Sequence, residues 1–291
     1  MNEIIKEAIL DTVKDTATLV PFLFVTYLAM EWLEGKTEDR SVKMLSNVGR
    51  ARHLLGAAIG LIPQCGFSAA AASLFSGGVI TVGTLISVFL STSDEMLPIF
   101  ISSSVGIASI IKILAFKFII AFVSGVAVDA LFKVIRPKAM DNKHIHDLCE
   151  QDHCGCEEEE GGIVRSALVH TMKITAFIFV VSLIISLLVG FAGKEAVASL
   201  MSGAPVLGSF VCGLIGLIPN CAASVVIAEL YLEGILTAGQ MMSGLLVGAG
   251  VGLLVLVRTN RRPKENIWII TTLYFLGVFW GLIIDLFGVT F

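Results

Sequence analysis

Charge is scarce in this chain. Of its 291 residues only 15% are Asp, Glu, Lys or Arg, against 56% hydrophobic, and mean hydropathy is +0.89. Soluble domains carry about 25% charged residues, so a soluble globular fold is excluded. The amino-terminal MNEIIKEAILDTVKDTATL carries acids at Glu3, Glu7, Asp11 and Asp15. With no basic n-region, no signal peptide is expected, and residues 1–15 read as an amphipathic lead-in. A GxxxxGK[ST] phosphate loop is missing, which excludes a P-loop ATPase, and an HExxH motif is missing too. Nor do the six cysteines suggest a disulfide framework. Cys65, Cys212 and Cys221 sit in apolar runs, and Cys149, Cys154 and Cys156 share a loop with histidines, usage that favours metal or thiol chemistry.

What the chain has in abundance is apolar runs near the roughly 20 residues that cross a bilayer. Crossings are expected near 16–33, 79–101, 110–133, 166–191, 235–257 and 266–288. The chain is also one unit written twice. With a shift of 156 residues, Gly60-Leu61-Ile62-Pro63 falls on Gly216-Leu217-Ile218-Pro219, Cys65 on Cys221 and Ser68 on Ser224. Thr81 falls on Thr237, Gly83 on Gly239, Gly125 on Gly281 and Asp129 on Asp285. Upstream the shift is 159, with DTVKDTA (11–17) over HTMKITA (170–176).

Basic residues set the topology. Fourteen of the 20 Lys and Arg fall in three loops. These are Lys36 to Arg52, Lys133 to Arg165, and Arg258 to Lys264. Cytoplasmic loops collect Lys and Arg, and all three share one side only if residues 53–76 enter and leave on the same face. The expectation is therefore an all-α polytopic membrane protein built as an inverted repeat of two halves. Each half has three crossings plus a re-entrant helical hairpin, ten helices counting hairpin arms. The first repeat is 1–133, a cytoplasmic loop is 134–165, and the second repeat is 166–291, with both termini outside. The hairpin tips are Pro63-Gln64-Cys65-Gly66 and Pro219-Asn220-Cys221-Ala222, within segments 53–76 and 206–232. Irregular backbone at that depth survives only inside protein or beside a water-filled cavity, and paired broken helices are a design of secondary transporters. The bland alternative makes each hairpin one proline-kinked span.

Broken helices expose carbonyls to a cation and amides to an anion. Gln64, Cys65, Ser68, Asn220, Cys221 and Ser224 add side-chain ligands at the tips, and they are expected to contact substrate. The repeat breaks at SVFLSTSDEMLPIF, where Asp94 and Glu95 lie inside a span and the matching LLVGAGVG (245–252) has glycines. Intramembrane carboxylates are costly and functional by default. They suit a divalent cation or the proton of an antiporter. A Lys117–Asp94 pair at matching depth is the structural alternative, leaving Glu95 as the titratable or metal-binding acid. Asp129 and Asp285 lie close to span ends and read as ordinary solvated carboxylates.

The central loop reads HIHDLCEQDHCGCEEEE (144–160). Three of the five histidines and three of the six cysteines fall within thirteen residues. His144, His146, Cys149, His153, Cys154 and Cys156 offer nitrogen and sulfur ligands for transition metals or a thiophilic metalloid. The loop reads as a metal-collecting segment that delivers, senses or buffers metal.

The duplicated GLIPxC hairpins (60–65 and 216–221), STSDEMLP (91–98) and the loop ending HCGCE (153–157) together resemble the manganese-transporter and arsenic-efflux family of bacteria, ten-span heavy-metal exporters. The resemblance covers essentially the whole chain. It implies a secondary transporter, not an enzyme, that exports a transition-metal or metalloid ion across the cytoplasmic membrane. Proton coupling is the simplest energy source. No cofactor is expected beyond the metal or metalloid ion as substrate. The partners are that ion and the lipid bilayer, with no nucleic acid, and self-association is left open. The rival readings are a membrane metal sensor and a membrane-embedded metalloenzyme. The cysteines and loop favour soft ions and the acids favour hard ones, so the ion is not set.

Overall fold

The computed structural model describes residues 51–93, 96–135, 163–192 and 205–291, with scattered positions between 6 and 28. Every regular element among these is helical. In chain order they are α1 (Ala51–Gly60), α2 (Cys65–Ser76), α3 (Val82–Ser91), α4 (Met96–Ser102), α5 (Ile107–Ile135), α6 (Ile163–Ala192), α7 (Pro205–Gly216), α8 (Cys221–Leu232), α9 (Ala238–Val247), α10 (Val251–Thr259) and α11 (Pro263–Leu286). Five segments are long and apolar enough to cross a membrane: Val82–Ser102, Ile107–Lys133, Ala167–Ile184, Ala238–Thr259 and Pro263–Leu286. They correspond to the expected crossings from 79 onward. The crossing expected near 16–33 lies largely outside the described residues.

Two of the five segments are not continuous helices. The first, Val82–Ser102, is α3 and α4 with a break after Ser91. The second, Ala238–Thr259, is α9 and α10 with a break at Gly248–Gly250. Gly250 has φ 53° and ψ −138°, a backbone conformation that a side chain rarely tolerates. Hydropathy alone predicts plain crossings over both segments. Neither break has a proline within it, and Pro98 falls in the first turn of α4, a place where proline is compatible with a helix.

Small residues bring the helices together, as expected where lipid removes the usual hydrophobic drive. α1 packs on α3 and α5, and α7 packs on α9 and α11. A Cβ on Gly83 would overlap the Gly125 carbonyl, and one on Gly239 would overlap the Gly281 carbonyl. Likewise Gly125 lies against Ser87 Oγ, and Gly281 against Ser243 Oγ. Each contact in one half recurs 156 residues on. The turns after α2 and α8 match as well, with Gly78 and Gly234 both at φ 75°.

Contacts also fix helix directions. Gly56 on α1 meets Thr84 and Val88 on α3, while Gly60 meets Val88 and Ser91. Thus α1 and α3 run the same way. On α2, Ser76 Oγ lies 2.7 Å from Thr259 Oγ1, and Ser68 lies against Gly252. So α2 and α10 also run the same way. α4 packs on α8 in the complementary position.

Candidate functional site

The two hairpin tips are built alike. After α1, the Gln64 N–H donates to the Ile62 carbonyl at 2.7 Å, and the Phe67 N–H donates to the Gln64 carbonyl at 3.2 Å. After α7, the Asn220 N–H donates to Ile218 at 2.8 Å and the Ala223 N–H to Asn220 at 3.3 Å. Pro63 and Pro219 supply no amide, so the ladder cannot continue through either position. Cys65 and Cys221 then start the next helices, α2 and α8.

Of the predicted tip residues, Gln64 and Ser224 are half-buried, and Cys65, Ser68 and Asn220 are buried. Ser68 Oγ donates to the Cys65 carbonyl at 2.9 Å, and Asn220 Nδ2 donates to the Ser182 carbonyl on α6 at 3.1 Å. These two polar groups are therefore held by protein at the tips. The Cys221 side chain lies outside what the structure describes. Cys212 is fully buried in α7.

The break at Gly248–Gly250 brings the tips' neighbours together. A Cβ on Gly252 would stand 2.9 Å from Ser68 Cβ, and one on Gly248 would stand 3.2 Å from Ser224 Oγ. The repeat-equivalent serines thus both abut one short stretch. Gly216 is in similar close approach to Gly244 on α9.

Charge enters from α5. Lys117 is fully buried. It lies ten residues into its span, about 15 Å along the helix axis. Its Nζ donates to the Thr92 carbonyl and, at 3.1 Å, to the Leu245 carbonyl. Thr92 caps α3 at the first break. Leu245 lies in the last turn of α9, and beyond it Ala249 donates to Val247. Lys117 therefore bridges the carbonyl ends of the two interrupted spans. Asp94 and Glu95 follow Thr92 in the chain and lie outside the described residues, as does a Lys117–Asp94 pair. The loop ligands His144, His146, Cys149, His153, Cys154 and Cys156 also lie outside them. Among the described residues, no group of three or more His, Cys, Asp or Glu side chains could hold a metal ion.

A second polar centre surrounds Asp129, where the sequence predicts only a solvated carboxylate. Asp129 is not a solvated helix-end carboxylate, being only 5% exposed. It accepts from Thr81 Oγ1 at 2.7 Å, from the Gly83 N–H at 2.7 Å and from Arg52 Nη2 at 3.0 Å. His53 Nε2 lies 3.3 Å away. Its counterpart Asp285 accepts from Thr237 Oγ1 and the Gly239 N–H, both at 2.8 Å. Gly208 and Ser209 stand where Arg52 and His53 would repeat. The retained Thr, Gly and Asp triplets were the available signal, because a carboxylate kept in both copies at a span end has a partner to keep.

Apolar spans, interrupted helices and a buried lysine at the interruptions define a polytopic α-helical membrane protein. A family model described as "Putative, 10TM heavy-metal exporter" (ArsP_2) matches residues 1–194. That is two thirds of the chain, and the protein belongs to this family. No curated protein and no solved structure matches it.

Proposed function

We propose that the chain is a secondary transporter that exports a transition-metal or metalloid ion, manganese or arsenic-like, across the cytoplasmic membrane in exchange for protons. The observation that carries this reading is the convergence of broken helices. Ser68 and Ser224 abut the Gly248–Gly252 stretch, and Lys117 joins the Thr92 and Leu245 carbonyls at the same breaks. Interrupted helices meeting at mid-depth are how transporters offer ligands without exposing backbone to lipid. On this reading Gln64, Cys65, Ser68, Asp94, Glu95, Asn220, Cys221 and Ser224 line the path. His144, His146, Cys149, His153, Cys154 and Cys156 collect metal on the cytoplasmic side.

Re-entrant hairpins in an inverted repeat are part of the proposal. Arg52 and Thr81 share Asp129, and Ser76 precedes Thr81 by only five residues. This supports residues 51–76 leaving the membrane where they entered. For the second half, Asn260 is bonded to Asn266 near the start of α11, and Thr237 to Asp285 near its end. Nineteen residues of helix separate these points by about 28 Å, close to a hydrocarbon core. Ser76 joins the Asn260 end through Thr259, so Thr81 and its counterpart Thr237 fall on opposite faces. Trp280 Nε1 also donates at 2.9 Å to Ser124 Oγ, its own equivalent 156 residues earlier, as expected beside a pseudo-twofold axis.

Orientation follows from charge. Arg52, Lys133, Arg258, Arg261 and Arg262 belong to the Asp129–Thr259 face, which the positive-inside tendency assigns to the cytoplasm. The test is metal-dependent flux into proteoliposomes of the purified chain under an imposed pH gradient, screened over Mn, Zn, Co, Cu and trivalent arsenic. Concentrative flux of one or more ions is expected. Failure with all five, from folded protein in sealed vesicles, would refute the reading.

A further inference from the structure

We propose that Lys117 is a tethered cation, an ammonium that holds the metal position when no cargo is bound and must swing away for a metal ion to enter. The inference rests on the transporter reading above and names the mode of binding at its site. Helix carbonyl ends carry partial negative charge and attract cations, and two such ends meet at the breaks. Backbone carbonyls of Thr92 from the first half and Leu245 from the second converge on one point, and Lys117 Nζ stands there. The lysine is fully buried, at a depth where an ionisable side chain is functional by default.

Three further features fit a removable cation better than a fixed clamp. The position is single-copy, since Leu273, also fully buried, stands at the equivalent place on α11. The repeated framework therefore does not itself demand a lysine at this depth. The side chain is a lysine, a compact charge on a flexible four-carbon stem, which can withdraw without moving α5. And the elements it bridges are the interrupted ones, α3 and α9, rather than continuous spans. A metal ion and the ammonium would seek the same oxygens, so they exclude each other. The apparent affinity for metal is then lowered by the fraction of time the ammonium occupies the position.

Lys117→Gln separates the two roles. Its amide keeps two N–H donors, one bond nearer the backbone, but carries no charge. Equilibrium binding of Mn(II) to the full chain in detergent, read from the free-ion paramagnetic signal, should tighten by about tenfold in this variant. Added Mn(II) should raise its melting temperature more than that of the wild type. Lys117→Arg, with a permanent and bulkier cation, should bind Mn(II) about tenfold more weakly than wild type. A clamp predicts the reverse order, with Arg restoring wild-type behaviour and Gln gaining nothing. Equal or weaker Mn(II) binding by Lys117→Gln overturns the proposal, as does its failure to bind at millimolar metal. If Lys117→Gln does not fold, Lys117→Arg decides. Loss of binding in folded protein supports the tethered cation, and wild-type binding overturns it. The transporter reading fails separately, when wild-type vesicles carry none of the five ions even though the binding order holds.

Discussion

Removing the Asp129 carboxylate should cost more stability than removing its twin, and the difference can be worked out. In both copies the carboxylate accepts from a threonine hydroxyl and a glycine amide. Asp129→Ala and Asp285→Ala both lose this pair, so that part largely cancels in the comparison. What remains is the Arg52–Asp129 ion pair, with His53 alongside. Breaking a buried pair costs about 3–5 kcal/mol. The Arg52 side chain is 20% exposed, so water recovers some of that, and about 1–3 kcal/mol is expected. Thr237 is exposed, which makes the second site cheaper to lose and acts in the same direction. The assay is reversible unfolding in mixed micelles of the two single variants, with Arg52→Ala and Arg52→Ala/Asp129→Ala completing a double-mutant cycle. Asp129→Ala should be the more destabilising, and Arg52→Ala should add little in its background. Equal costs, or full additivity, would show that Arg52 merely lies near the carboxylate and that the first hairpin is not latched there.

Other perturbations probe the proposed path. Gly252→Val places carbon against Ser68 and Phe89 and should cost about 1–3 kcal/mol by overpacking while closing transport. Gly106→Val, with open space around it, should do neither, and equal behaviour of the two would remove the Ser68 contact from the argument. Glu95→Gln should abolish uphill transport and leave the protein folded, and wild-type concentrative flux would take that carboxylate out of the mechanism. Cys65→Ser combined with Cys221→Ser should impair a soft ion such as trivalent arsenic more than manganese. Equal tolerance by both ions would leave the thiols a packing role.

Legibility followed proline and repetition. Pro63 and Pro219 announce interrupted helices because a residue without an amide cannot continue the ladder, and both interruptions are where the repeated GLIPxC put them. The crossings from residue 79 onward were readable from hydropathy alone. The breaks at Ser91–Met96 and Gly248–Gly250 were not. Their signals are a run of Ser, Thr and Asp in one copy and Gly-Ala-Gly in the other, residues that membrane helices also use for close packing. The Arg52–Asp129 pair spans 77 residues, and no local pattern predicts a contact at that separation. Lys117 was legible as a buried charge at the right depth. Its carbonyl partners were not, because they exist only once both breaks are known.

On the transporter reading proposed above, the duplicated fold and the single-copy charges have different jobs, and the charges give the molecule a direction. Two equal halves create matching tips, matching Thr–Gly–Asp brackets and matching glycine contacts, none of which distinguishes one face from the other. Lys117 against Leu273, Asp94 and Glu95 against Gly250 and Val251, and Arg52 against Gly208 all place the charge in the first half. A pair of alternating states related by pseudo-symmetry would be near-equal in free energy if both halves were identical, so no bias would exist between facing in and facing out. Charged contacts present in one copy remove that degeneracy. The Arg52–Asp129 bracket holds the first hairpin to α3 and α5, whereas the second hairpin has the uncharged Gly208 at the matching place. It follows that Arg52→Gly should shift the balance of the two states without touching the cargo position. The expected sign is a gain in accessibility at the Asp129–Thr259 face, measured by labelling a cysteine introduced at Thr259, with Mn(II) affinity unchanged. Unaltered labelling would mean that the first hairpin's ion pair stabilises the fold but does not set its resting direction.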